Sequence, residues 1–265
     1  MRMGAPGIIA GWREADVGGA ALSTRRLPLW AGWLLALAVA GACCGLGSWQ
    51  LQRMQAKQAQ LDAAGQVLAA RQPRALAVAA EPARARGYDW AAGRGRFATL
   101  PPVLLDNQNR GGRAGVRAYR VFLPADGAMP LLVELGWLPL PGNRQLPQVP
   151  APALEEISGL LLPPPAPGLV AATAQPQPGG QLLLPALEPA SLAPPLGLPA
   201  LAPRVLRLDP ALPVGYARDL ELLPNTLPPE RHLGYAVQWF ALAAAVLAIA
   251  MLLSLRGRRR ARARA

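Results

Sequence analysis

The chain is poor in the side chains on which most enzyme chemistry depends. Its 265 residues include one histidine, His232, and two cysteines, Cys43 and Cys44. One imidazole and two adjacent thiols cannot assemble the ligand set of a zinc site. The cysteines also fall inside an apolar run, where they read as small packing residues rather than a disulfide framework for any outer domain. Between Lys57 and Arg231 the only serines are Ser158 and Ser191, and neither sits in a G-x-S-x-G elbow. No glycine-rich loop of P-loop or Rossmann form is present. Glu155 and Glu156 are neighbours on an expected strand, so they face opposite ways and do not form an acid/base pair. Without nucleophile and base, paired acids or a metal cluster, the sequence argues against a hydrolase or an oxidoreductase. A third reading, a membrane-anchored enzyme with its site in a proline-rich loop, fails for the same reason.

Charge is also scarce, at 16% of residues, and acids are scarcer still: 15 Asp plus Glu against 27 Lys plus Arg, a formal net charge of +12. In contrast, 52% of residues are hydrophobic, which is too apolar for a disordered chain and favours a membrane protein. No charged residue occurs from Leu27 to Gln52, and Trp30 to Trp49 alone supplies the ~20 residues that a helix needs to cross a bilayer. A second uncharged run extends from Leu233 to Leu255 and is closed by Arg256. Thr24-Arg25-Arg26-Leu27-Pro28-Leu29 has a faint twin-arginine character, and Ala40-Gly41-Ala42-Cys43 a faint lipoprotein cleavage box. Pro28 interrupts the first, Ala40 suits the second poorly, and the apolar run exceeds a signal-peptide core, so an uncleaved anchor is the simpler reading. Gly41-x-x-x-Gly45 is a spacing that admits close approach of a partner helix, here expected to be the second span through Ala241, Ala244, Ala245 and Ala248.

Positive charge near span ends is retained on the cytoplasmic side. Arg256, Arg258, Arg259, Arg260, Arg262 and Arg264 follow the second span with no acid, while Arg2, Arg13, Arg25 and Arg26 precede the first against Glu14 and Asp16. Both termini are therefore expected inside and the middle outside. The expected layout is a cytoplasmic tail 1–26, a first span 27–52, an outer domain 53–231, a second span 232–255 and a basic tail 256–265. Since topology accounts for most of the excess charge and the outer domain has no aromatic-basic stripe, nucleic acid is excluded as a partner. The bilayer is the expected one.

The outer domain begins with a polar helical stretch that prolongs the first span through Gln58, Leu61 and Gln66. Short strands follow at Val103–Leu105, Tyr119–Leu123, Leu131–Leu135, Ile157–Leu162, Gln181–Leu184, Val205–Leu208 and Leu220–Leu223, with a turn or loop at Asp106–Gly115. Residues 163–203 contain 12 prolines, which excludes a long helix or a central strand and reads as a long loop. The fold class is thus an α+β membrane protein, in which two transmembrane helices flank a β-rich domain built as an antiparallel sheet or small barrel.

The entry to the second span carries the most specific pattern. Pro229 then Glu230 start a helix soundly, and His232, Tyr235, Ala236 and Trp239 then share one face at the outer membrane boundary. Two readings stay open for that face. One is an interfacial anchor, because Trp and Tyr concentrate at headgroup level. The other is a haem site, with His232 as axial ligand to the iron, Tyr235 and Trp239 flanking the macrocycle and Arg231 near the propionates.

Three segments together resemble the surfeit locus protein 1 family. They are Leu46-Gly47-Ser48-Trp49-Gln50-Leu51-Gln52-Arg53-x-x-x-Lys57, then Val133-Glu134-Leu135-Gly136-Trp137-Leu138-Pro139, then Asn225 through His232-x-x-Tyr235-Ala236-x-Gln238-Trp239-Phe240. The resemblance covers roughly Leu27 to Leu255. It implies an assembly factor for haem-copper cytochrome oxidase, not an enzyme, with haem a as transient cofactor and with oxidase subunit 1 and haem a synthase as partners. The family's histidine maps onto His232, its Trp-Gln and Arg onto Trp49, Gln50 and Arg53, its Gly-Trp onto Gly136 and Trp137, and Gln238 falls in the last motif. Two departures stand out: Glu134-Leu135 where the family usually reads Asn-Arg, and no Trp within Gly179–Leu184. The Ala-, Arg- and Pro-rich composition points to a bacterial plasma membrane, with the outer domain in the periplasm. The competing reading is an envelope protein-interaction module, anchored by two spans and carrying no haem.

Overall fold

In a computed structural model of the chain, residues 28–165, 173–222 and 227–263 are described. The N-terminal tail with Arg25, Arg26 and Leu27, residues 166–172 of the proline-rich segment, Leu223, Asn225, Thr226 and Arg264 lie outside the described residues. The chain divides into two compact units, residues 1–44 with 240–265 and residues 45–239.

Two helices dominate the ends of the chain: α1, Leu29–Ala70, and, near the C-terminus, Pro229–Arg262. Both are long and apolar enough to cross a membrane. Ala- and Leu-rich sequence with few β-branched residues favours them locally. The first ends where Arg71 takes a positive φ of 42° ahead of Pro73, which cannot continue a helix. In the first unit, Ala36, Ala40 and Cys43 on one helix and Ala243 on the other are buried, and Trp33 Nε1 donates to Ser254 Oγ at 2.9 Å. Steps of four and three residues make this a coiled-coil type of seam. The expected glycine seam is not used. Gly41 and Gly45 are exposed, and a Cβ added to either would meet nothing within 4 Å. Ala241, Ala244, Ala245 and Ala248 are exposed as well. The reason is rotational: Gly41 stands one residue, about 100°, beyond Ala40 on the helix, and the stripe through Ala36 and Ala40 is the buried one.

In the second unit, β1 (Asp89–Phe97), β2 (Val103–Arg110), β3 (Arg113–Pro124), β4 (Leu131–Pro139), β5 (Glu156–Leu162), β6 (Gln175–Pro176), β7 (Leu182–Leu184) and β8 (Val205–Leu208) form one sheet. The order β1-β5-β8-β4-β3 closes through a β1–β3 pairing, which makes a five-stranded barrel. The second unit is thus a small barrel, though not wholly antiparallel: β4–β8 and β2–β7 run parallel. Closure depends on Gly95, opposite Pro124, because a Cβ there would fall on the Leu123 carbonyl oxygen. Alternating residues sort to two faces. Leu131, Val133, Leu135, Leu206 and Leu208 pack in one apolar cluster, and Leu132, Leu160, Leu162 and Val205 in the other.

Several local expectations are corrected. Strand β1 was not expected, because Trp-Ala-Ala-Gly-Arg-Gly-Arg carries little β propensity; barrel closure overrides it. Asp106–Gly115 is mostly strand rather than loop, with only Gly111 and Gly112, both at positive φ, turning the β2–β3 hairpin. Leu220–Leu222 form no strand. Within the proline-rich segment, β6 and β7 add to the sheet edge, a single-turn helix α2 (Pro189–Leu192) follows, and Leu182, Leu184, Leu187, Leu192 and Leu196 are buried in the second cluster. Prolines confine this segment to edge and cap positions without making it featureless. The C-terminal helix Pro229–Arg262 is accordingly α3.

Candidate functional site

The site lies where α3 begins against α1. Helix α3 opens with Pro229 and has Glu230 in its first turn, so the missing proline donor costs nothing and the acid meets the positive end of the dipole. His232 follows within that turn. The stripe of α1 continues through buried Gly47, half-buried Gln50 and Met54, and buried Lys57, keeping the four-three spacing. Two polar members of this stripe grip the start of α3. Gln50 Oε1 lies 2.7 Å from His232 Nδ1, and two turns further on Lys57 Nζ donates to the carbonyl of Leu227. His232 is only 7% exposed, and its Nε2 is buried without a hydrogen-bond partner among the described residues.

The other site residues expected from sequence are distributed as follows. Ala236 is buried and Trp239 half-buried on the His232 stripe. Tyr235, 39% exposed, lies one turn on from His232 beside that stripe, and Arg231, Trp49 and Gln238 are exposed. Arg53 is exposed, and its charge, like that of Lys57, acts on the imidazole. The structure therefore brings together His232, Gln50 and Lys57, leaves Arg53 within electrostatic reach, and leaves Tyr235 partly exposed. Among the described residues no group of three or more His, Cys, Asp or Glu could hold a metal ion.

Gly136 and Trp137 belong to the barrel. The β3–β4 register shifts between Ala118 and Tyr119, and Gly136 answers with a φ of 128°. A Cβ there would stand 2.9 Å from the Tyr216 carbonyl, so only glycine lets the 215–217 segment lie on the strand. Trp137 N then donates to Ala217 O at 2.8 Å, its Nε1 donates to Gln108 O at 3.1 Å, and its ring covers Gly115. This pair splices a returning segment to β4.

Sequence reasoning missed a buried charge network on the second face of the same strands. Glu134 accepts from Arg117 and, at 3.2 Å, from Arg207, its cross-strand neighbour; the Tyr119 hydroxyl donates to it at 3.4 Å. Burial first, and then the Glu134 carboxylate, hold the Tyr119 phenol well above its usual pKa. A second knot joins Arg204 to Asp89 at 2.7 Å, with Arg84 and Arg74 on the other carboxylate oxygen. The available signal was a single charge at an inward position in each of two short apolar strands, Glu134 in Leu131–Leu135 and Arg207 in Val205–Leu208.

The sequence model of the SURF1 family matches residues 37–244, a span that contains all three motif segments, both grips on α3 and the whole barrel. The chain belongs to the SURF1 family. A comparison with curated proteins finds no match. The SURF1 family is known for cytochrome oxidase assembly and is a family of assembly factors rather than of catalysts. The departure from its usual Asn-Arg at Glu134-Leu135 has a local account: Glu134 answers Arg117 and Arg207, and Leu135 is a core residue.

Proposed function

We propose that the chain is a two-span assembly factor for haem-copper cytochrome oxidase that binds haem a through His232 and hands it on toward the catalytic subunit. The observation that carries this reading is the imidazole itself, anchored through Nδ1 to Gln50 and presenting a buried Nε2 with no partner among the described residues. The residues present suit the group, since an imidazole held at one nitrogen with the other unused has the donor set of an axial ligand. Haem, when bound, supplies a redox-active iron and a large apolar plane destined for the oxidase; the protein's part is holding and release. His232 would hold the iron, and Trp239 on the same stripe offers an apolar flank. Tyr235 and Arg231, both exposed, would meet the macrocycle from the surface side. Nε2 is covered in this conformation, so a ligand gains it only by displacing what covers it.

In this reading the helices lie in a bacterial plasma membrane, with both termini cytoplasmic and the barrel periplasmic. The arginines from Arg256 onward support that orientation. Oxidase subunit 1 and haem a synthase are the partners, one receiving haem and the other supplying it. Trp49, Gln238 and Arg53, exposed near His232, are the residues we assign to partner contact. The test is the absorption spectrum of protein purified from cells that make haem a, wild type beside His232→Ala. Haem loading is expected to be lost in the variant, and equal loading removes the ligand assignment. Normal oxidase haem content after gene deletion would sink the assembly role.

A further inference from the structure

The contact between α1 and the start of α3 assigns a role to Gln50 that the family motif leaves open. We propose that Gln50 is a positioning residue, which fixes His232 in the tautomer carrying its proton on Nδ1 and so presents the Nε2 lone pair as the ligand atom. The proposal rests on the haem-binding reading above.

An amide oxygen can only accept. With Gln50 Oε1 at 2.7 Å from Nδ1, the bonded arrangement requires the hydrogen on Nδ1. The opposite tautomer would set two lone pairs against each other in this orientation of the amide, and in either orientation it would bury an N–H on Nε2 with no acceptor among the described residues. Both penalties act in the same direction. The geometry is also held from two sides. Gln50 belongs to the stripe on α1 that includes Gly47 and Lys57, and Lys57 ties the Leu227 carbonyl just ahead of α3. The histidine's backbone and its ring are thereby both referred to the same helix. A group that orients a ligating histidine through its second nitrogen typically contributes about 10- to 100-fold in affinity for the metal.

His232 is the only histidine in the chain, so 15N-histidine labelling of the full-length protein in lipid nanodiscs reports this ring alone. In haem-free protein, the expected spectrum has a pyrrole-type Nδ1 and a pyridine-type Nε2. Gln50→Leu, similar in size but without an acceptor, is expected to lose that preference and to bind added haem a about 10- to 100-fold more weakly. Gln50→Glu restores an acceptor at similar reach and should recover both, which separates positioning from a general disturbance of the helix pair. An unchanged tautomer in Gln50→Leu, or unchanged haem a affinity, overturns the proposal. If wild type binds no haem a, or His232→Ala binds it equally well, the haem reading fails and the ligand role of Nε2 fails with it. The tautomer shift, read without haem, still reports whether Gln50 holds the ring.

Discussion

Glu134 is the carboxylate on which the barrel's buried charge depends, and replacing it with glutamine measures that dependence. The residue is 1% exposed and faces two guanidiniums, those of Arg117 and of the fully enclosed Arg207. At an effective dielectric constant of about 20, each charge pair near 4 Å is worth about 4 kcal/mol before desolvation is counted. Glutamine keeps the shape and one acceptor oxygen but removes the charge, leaving both cations in a low-dielectric interior. Breaking a buried pair in this way typically costs about 3–5 kcal/mol, a large share of the roughly 5–15 kcal/mol that holds a domain folded. For a domain of this size that corresponds to a loss of roughly 6–20 °C in melting temperature. The assay is thermal unfolding of the detergent-solubilised chain followed by circular dichroism in the β-sheet region. A double-mutant cycle with Arg207→Met should show coupling above about 1 kcal/mol, because removing the arginine relieves part of the unpaired charge. A shift below about 3 °C, or additivity within about 0.5 kcal/mol, would refute the reasoning.

Tyr119 gives the pH dependence. Its folded pKa is raised, first by burial and then by Glu134, well above the ordinary phenol value of about 10, so the neutral phenol's contribution is complete below pH 10 and is lost as pH rises toward the folded value. Tyr119→Phe should flatten the alkaline fall in stability by one proton, about 1.4 kcal/mol per pH unit above pH 10, in urea unfolding curves taken at successive pH values; parallel slopes contradict it. Gly136→Ala forces a side chain onto a φ of 128° and into the Tyr216 carbonyl, and should cost about 1–3 kcal/mol with a lowered melting temperature. In the membrane unit, Gly41→Ala should change stability by less than about 0.5 kcal/mol. Ala40→Leu should disturb the buried seam and loosen the helix pair, as proteolysis in detergent would show.

Much of the architecture was legible because it depends on hydrophobic pattern. The two apolar runs, the alternation in Tyr119–Leu123 and Leu131–Leu135 and the helix start at Pro229-Glu230 are local signals, and each appears as helix or strand. What escaped depends on distant partners. Strand β1 is held by β3 and β5 rather than by its own Gly- and Arg-rich residues. The parallel β4–β8 pairing joins segments some 70 residues apart, as in Glu134 with Arg207. The glycine stripe was the reverse case, a local spacing common by chance in Ala- and Gly-rich helices that tertiary packing leaves unused, because a heptad stripe of Ala and Cys was available a third of a turn away. Of the site, His232 and Gln50 were both singled out by motif, but their pairing was not, since nothing in either segment specifies which residue of α1 meets the imidazole.

Two buried side-chain nitrogens lack a partner among the described residues, Arg204 Nε and His232 Nε2, and the contrast between them bears on function. Arg204 is otherwise satisfied: its other nitrogens reach Asp89 and the carbonyls of Val78 and Gly87. Its orphan is an N–H on a permanent cation, which can only donate and can never ligate a metal. The barrel's remaining buried charges, Glu134, Arg207 and Asp89, answer one another within the fold, so nothing in them calls for a ligand. His232 Nε2 differs in kind. With Nδ1 bonded to Gln50, it is a buried nitrogen with no partner among the described residues. Of the two orphans only the imidazole nitrogen can act as a metal ligand, and it is the atom on which the proposed haem binding rests.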